Sequence, residues 1–348
     1  MYEEQKGFIQ KGDFFMLRKI GSLILLSALI LVLAACSDEN AGGKGTKLQL
    51  GHALSEDTPA AKLIEEMAEK VEEKTDGRVS FDIFPNSQLG SETEMLEQVK
   101  LGTMDSAGIM IGSMQALDPK LAIEDLPYMW KDIEHARAAY EGEFGEHLAG
   151  IIEEQGMKQI GYLEWGFRHI TNSKQPIVKP EDLKGMKIRV AETKLRVDAF
   201  EEIDALPTVL AFSELYGALQ QGTVDAQENP LANTVAPKFY EVQDYLSLTG
   251  HFYNTVMLVV SEDVWDKISE EDQQVVLAEA EAIQQEVIVQ NDAQESEYLD
   301  TLKENGMEIN DDVDKEAFRK AMLPVYDKWE KDVFGEELMD IYREASGW

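Results

Sequence analysis

The chain has 348 residues, of which 44% are hydrophobic, and a formal net charge of −35. That length and apolar content allow two lobes with sizeable cores and exclude a chain disordered throughout. The acid excess excludes nucleic acid as a partner, because phosphate binding needs a basic face, and one cysteine, Cys36, excludes an internal disulfide framework or a thiolate metal cluster.

Arg18 and Lys19 precede an uncharged run, Ile20 to Ala35, followed by Cys36 and the polar "SDENAGGKGT". The run is shorter than the ~20 residues of a membrane span and reads as a signal-peptide apolar region. "LAAC", Leu33 to Cys36, resembles the bacterial lipobox, which implies acylation of Cys36 and an exported, lipid-anchored body. Glu3, Glu4 and Asp13 do not suit a signal start, so Met16 is the expected initiator.

Beyond the tether, "KLQLGHA" reads as a strand. Thr58 and Pro59 supply a cap and a first position for a helix that Gly77 ends. "RVSFDIF" alternates as a strand, Ser91 and Glu94 form a capping box, and "TMDSAGIMI" is a third strand. Alternating strands and helices predict an α/β lobe with a largely parallel sheet. "EMLEQVKLGTMDSAG" and "ELYGALQQGTVDAQE" repeat one unit, pairing Gly102 and Asp105 with Gly222 and Asp225, each with a serine upstream, Ser91 and Ser213. Segments 158–172 and 245–260 exceed an ordinary strand of ~5–6 residues and are expected to cross between lobes. A helix from Ser269 to about Asn305, with Asn291 as a point where it could kink, would bridge them. In "KGMKIRV", Met186, Ile188 and Val190 share one face while Lys187 and Arg189 point the other way. That second face is either wet or needs a fixed positive charge.

Catalytic signatures are absent. No GxSxG, P-loop, HExxH, CxxC or GxGxxG occurs, and the five histidines lack metal spacing. The chain is therefore read as a non-enzyme without cofactor or metal. The informative residues are the cations of an acidic chain. Arg168 and Arg189 offer the two-pronged guanidinium that suits a carboxylate, and Asn229 can donate to the same oxygens. Each arginine could equally pair internally, for instance with Glu228.

"GFRHITNSKQPIVKPEDLKGMKIRV", "PTVLAFSELYGALQQGTVDAQENPLA", "KFYEVQDYLSLTGH" and "FPNSQLGSETEMLEQVKLGTMD" together resemble the extracytoplasmic solute-binding proteins of TRAP transporters, DctP type, over roughly residues 47–340. The resemblance implies an α/β, two-lobed periplasmic-binding-protein-like fold with crossing strands and a long bridging helix. It divides the chain into a signal peptide (1–35), a lipid-tether linker (36–46), lobe I (47–165 plus 254–292) and lobe II (166–253 plus 293–348). It also implies capture of an organic acid, such as a hexuronate or four-carbon dicarboxylate, for delivery to membrane transporter subunits. By position it places the carboxylate-binding arginine on Arg189, a second on Arg168, the amide on Asn229 and a packing aromatic on Phe212. Trp165, His52 and Met110 are weaker ligand-binding candidates. Ala226 replaces the glycine usual in "VDGQENP", and the sialate pattern is missing from the first lobe, where Ser113 stands. Two other functions are compatible with the tethered body: a ligand-sensing module for a membrane kinase, and a hydrolase acting on acidic sugars.

Overall fold

The computed structural model describes residues 45–347; Cys36 and the expected signal peptide lie outside them. In chain order the first half forms β1 (Thr46–His52), α1 (Pro59–Lys74), β2 (Val79–Phe84), α2 (Glu92–Lys100), β3 (Ser106–Met110), α3 (Ile133–Tyr140), α4 (Glu143–Glu154) and β4 (Met157–Asn172). Two 3-10 segments, Ile111–Ala116 and Pro119–Asp125, follow β3. The second half adds β5 (Lys187–Val190), α5 (Lys194–Glu202), β6 (Leu206–Val209), α6 (Phe212–Gln220), β7 (Ala226–Asn229), α7 (Ala232–Val235) and β8 (Tyr245–Ser261). It ends with α8 (Glu262–Trp265), α9 (Glu270–Glu304), β9 (Glu308–Asn310), α10 (Lys315–Met322), α11 (Pro324–Trp329) and α12 (Gly335–Ser346).

The local signals act as the sequence predicts. Thr58 caps α1, with Pro59 in its first turn, and Gly77 leaves the helix at φ 74°, a backbone region that glycine enters without a Cβ penalty. Ser91 and Glu94 form a reciprocal capping box on α2. The repeated unit is physical: Asp105 accepts from the backbone of Gln49 in β1, and Asp225 from that of Lys187 in β5. Each aspartate thus ties its own strand to the parallel neighbour. The two units differ at one point. Ser91 caps α2, but Ser213 lies inside α6, whose cap is Ala211 with no side-chain bond.

The nine strands among the described residues belong to one sheet, ordered β2-β1-β3-β8-β4-β7-β5-β6, with β9 on β8. Its two ends are parallel, β1 with β2 and β3, and β5 with β6 and β7. The long strands β4 and β8 run antiparallel through the middle and join the ends. Three irregularities bend this ribbon, at Gln159/Gly161, Glu164/Gly166 and Arg168/Ile170. Such bulges kink a strand and re-aim its side chains. Helix α9 is continuous over 35 residues, through Asn291, whose amide donates to the Glu164 carbonyl and ties the helix to β4. At 1.5 Å per residue the helix spans ~52 Å. No helix among the described residues is long and apolar enough to cross a membrane.

Candidate functional site

Strand β5 carries Arg189 in the last full register before the strand ends, opposite Thr208 of β6 and Gln227 of β7. Its neighbours Ile188 and Val190 are fully buried, so period-2 alternation sends Arg189 to the other face. That face is not wet: Arg189 is only 2% exposed. Its Nε and Nη2 both donate to one acceptor, the Leu210 carbonyl, at 2.9 and 2.7 Å. The Phe212 ring, at the start of α6, lies 6.0 Å from its Cζ. Among the described residues, no carboxylate forms an ion pair with it. Burial, with Arg168 and Arg196 adding to it, pulls its pKa down to about 10 against the opposing charges of Glu228 and Glu92.

Arg189 and Phe212 line a pocket of about 260 Å³, mouth included, with Glu92, Glu192, Ser87 and Ser91. The pocket lies between the β1–β3 end of the sheet and the β5–β7 end. Glu92 reaches it from the first turn of α2. Its oxygens accept from the Met110 backbone at 2.9 Å and the Ser113 hydroxyl at 2.8 Å. Burial raises the Glu92 pKa against those two bonds and the nearby arginines. Glu192 accepts from the Thr93 hydroxyl at 3.1 Å, across the two ends.

Arg168 is placed differently. It is 1% exposed, and Glu228 takes it: Nε to Oε2 at 2.5 Å, Nη2 to Oε1 at 3.0 Å and to the Glu228 carbonyl at 2.5 Å. The Asn229 side-chain oxygen accepts from the same Nη2 at 2.9 Å, while the Asn229 amide donates to Gln227 at 2.6 Å. The internal-pair reading therefore describes Arg168 here, and Asn229 serves it rather than facing open space. Register explains this: β7 pairs with β4 so that Ile170 opposes Glu228 and His169 opposes Asn229. Burial and the neighbouring Arg196 lower the Arg168 pKa, with Glu228 opposing. Burial alone would raise Glu228, but the two guanidiniums hold it well below the usual carboxylate range.

Arg196, on α5, is the member of this cluster that sequence reading missed. It is fully buried and donates to Glu228 at 3.1 Å, Asp125 at 2.7 Å and Asn254 at 2.6 Å. Its position three and four residues before Ala199 and Phe200, both fully buried, was the available signal, since such residues share a helix face. Met110 lies within reach of two of these cations. Its Sδ is 3.2 Å from Arg196 Nη2 and 3.9 Å from Arg168 Nη1.

The other expected residues fall at the margins. His52 is fully buried at the end of β1, with no partner for either ring nitrogen among the described residues; burial lowers its pKa to about 4, so the ring is neutral. Its neighbour Ala53 lines the pocket. Trp165 does not reach the Arg189 pocket. Its indole N–H donates to Asn233 at 2.9 Å, and it lines a separate open pocket of about 520 Å³, mouth included, with Phe167, Tyr298 and Glu295. Three positions separate it from Arg168, an odd number that puts the two on opposite faces of an extended strand, although the bulge at Gly166 leaves its ring 5.8 Å from the Arg168 guanidinium.

Comparison with known proteins agrees with this architecture. Residues 50–332 match the model of the DctP family, described as bacterial extracellular solute-binding protein, family 7. The chain is 32% identical to the 2,3-diketo-L-gulonate-binding periplasmic protein YiaO of Escherichia coli, covering 89% of this chain and 94% of that protein. A TRAP periplasmic solute-binding protein from Polaromonas, solved with D-erythronate, is 38% identical with a TM-score of 0.82, covering 85% of this chain and 98% of that one. Another from Sulfitobacter, solved with β-D-galacturonate, is 30% identical with a TM-score of 0.83, covering 87% and 100%. The two-lobed, carboxylate-capturing, non-enzymatic reading holds for such a protein, and the sensor and hydrolase alternatives give way to it. The chain thus belongs to the DctP family of extracytoplasmic solute-binding proteins, which bind small carboxylates and work with the membrane subunits of TRAP transporters.

Proposed function

We propose that this protein captures a hydroxylated or keto monocarboxylate whose single carboxylate docks on Arg189. One observation carries the reading: among the described residues no carboxylate bonds to the buried Arg189 guanidinium, while the neighbouring arginines have theirs. An uncompensated buried charge is costly unless something pairs with it. A ligand carboxylate at ~4 Å contributes about 4 kcal/mol at an effective dielectric near 20, against about 1 in bulk water. The rest of the pocket offers acceptors and hydroxyls, Glu92, Glu192, Ser87 and Ser91, and no second unpaired cation among its lining residues. That favours hydroxyls over a second carboxylate at the far end of the ligand. Erythronate, diketogulonate and galacturonate, the ligands named for three of the relatives, share this chemistry, whereas a fourth relative, from Sulfurospirillum, is solved with succinate.

In this reading the lobes divide near Trp165/Gly166 and Tyr253/Asn254 and close by bending of the β4–β8 ribbon at its bulges. Arg168 and Asn229 frame the carboxylate from behind, and Phe212 packs over it. Cys36 is acylated and anchors the body to the outer face of the membrane. Mass spectrometry of the mature protein should find a lipid on Cys36, and a Cys36→Ala chain should be released from membranes. For the ligand, titration calorimetry with D-erythronate, β-D-galacturonate and succinate tests the class. A monocarboxylate should bind at least 100-fold tighter than succinate; succinate binding tightest would overturn the reading.

A further inference from the structure

The start of α5 and the residues just before it bond to the first lobe at several points. The Glu192 carboxylate accepts from Thr93, and the Glu192 carbonyl accepts from the Gln115 side chain at 3.4 Å. The Lys194 backbone donates back to Gln115 at 2.9 Å. One turn in, Arg196 passes between the lobes. Its Nη2 reaches Asp125 of the first lobe at 2.7 Å and Met110 Sδ at 3.2 Å, while Nη1 reaches Glu228 of the second at 3.1 Å. Its Cζ lies 5.2 Å from the Phe252 ring on β8.

We propose that Arg196 is a closure-linked positioning residue: it joins Asp125 of one lobe to Glu228 of the other and thereby sets Arg168, without touching ligand. Three features carry this. Glu228 Oε1 is shared almost equally, 3.0 Å from Arg168 and 3.1 Å from Arg196. The charge of Glu228 is therefore divided, and Arg168 keeps one arm, Nη1, against nothing stronger than a thioether. Asp125 and Met110 both come from the lobe that moves away on opening, so opening strips Arg196 of one of its two carboxylates. The cluster also carries polar atoms without partners among the described residues, Arg196 Nε and Asp125 Oδ2. A buried ion pair that forms only on closure acts on how long the closed form lasts. It does not act on how the ligand first arrives, because arrival occurs at the open cleft.

The inference rests on the acid-capture reading, and its test separates the two. In stopped-flow measurements with D-erythronate, Asp125→Asn and Arg196→Gln should each raise the dissociation rate at least 10-fold and leave the association rate within about 3-fold. The double variant should be no worse than either single one, since both remove the same link. A purely structural salt bridge would change folding stability without this split. Arg196→Lys, which can meet one carboxylate but cannot bridge two, should fall in between. Should Arg196→Gln fail to fold, Asp125→Asn alone decides, because it leaves Arg196 on Glu228. An unchanged dissociation rate, a loss confined to association, or multiplying effects in the double variant would overturn the proposal. A ligand-free arm covers the case in which D-erythronate does not bind the wild type. Cysteines introduced as Gln115→Cys and Lys194→Cys should be joined by a short bis-maleimide at least 5-fold more slowly when Arg196→Gln is added. An equal rate there overturns the role of Arg196 whatever the ligand; a slower rate with no erythronate binding overturns the ligand class alone.

Discussion

Arg189 and Arg168 are both arginines on strands of one sheet, both nearly inaccessible, yet their surroundings are opposite. Arg168 has a carboxylate at 2.5 Å and an amide oxygen at 2.9 Å. Arg189 has one backbone carbonyl and an aromatic ring. The first arrangement has its anion before any ligand arrives. The second is complete only with one. Burial of a cation is thus no mark of function by itself; the mark is burial without a matching anion, beside a cavity.

The sharpest way to break this comparison is to remove the anion from the complete site. Glu228→Gln leaves two buried guanidiniums facing each other and should destabilise the protein by about 3–5 kcal/mol, read by urea unfolding. A loss under 1 kcal/mol would mean that Arg168 and Arg196 find other partners, and the contrast with Arg189 would fail.

A second prediction uses pH. Burial, with Asp125 adding to it, pushes the Glu124 carboxyl up to about 8, despite bonds from Tyr140, Thr255 and Asn254 that pull it down. The folded chain then holds a proton that an unfolded glutamate releases above about pH 4.3. Its stabilisation is full below that value and is lost as pH rises through 8. His52 and His169, lowered by burial to about 4 and about 3, act with the opposite sign, but their effect is half complete at about pH 6.5 and spent by about pH 7.5. Unfolding free energy should therefore fall between about pH 7 and 8.5, and Glu124→Gln should flatten that slope. A wild-type slope that persists in the variant would assign it elsewhere.

The smallest effect separates the two repeated units. Ser91→Ala removes a capping box from the helix that presents Glu92 and should cost about 1 kcal/mol. Ser213→Ala, in a helix that this serine does not cap, should cost less than about 0.5 kcal/mol. Equal losses would show that the units are capped alike.

The sequence was most legible where local chemistry decides structure. Thr58, Pro59, Gly77, Ser91 and Ser269 mark helix ends through their own backbone and side-chain preferences, and the alternation around Arg189 placed it on the right face. Pairing across the chain was less legible. The register that sets Glu228 against Arg168 depends on β4 and β7, 54 residues or more apart in sequence. Glu92 and Glu192 were hidden among 67 acidic residues, where no single carboxylate stands out. Arg196 was hidden by Lys194 and Glu201 around it, which make α5 look like an ordinary solvated helix.

The most direct test replaces Arg189 by glutamine and measures two quantities on the same protein. The account predicts that Arg189→Gln loses at least 100-fold in affinity for whichever acid the wild type binds, equivalent to about 2.7 kcal/mol, while its ligand-free unfolding free energy falls by no more than about 1 kcal/mol, because the variant removes an unpaired buried charge. Undiminished affinity in a folded variant would contradict it, because the carboxylate would then have another receptor.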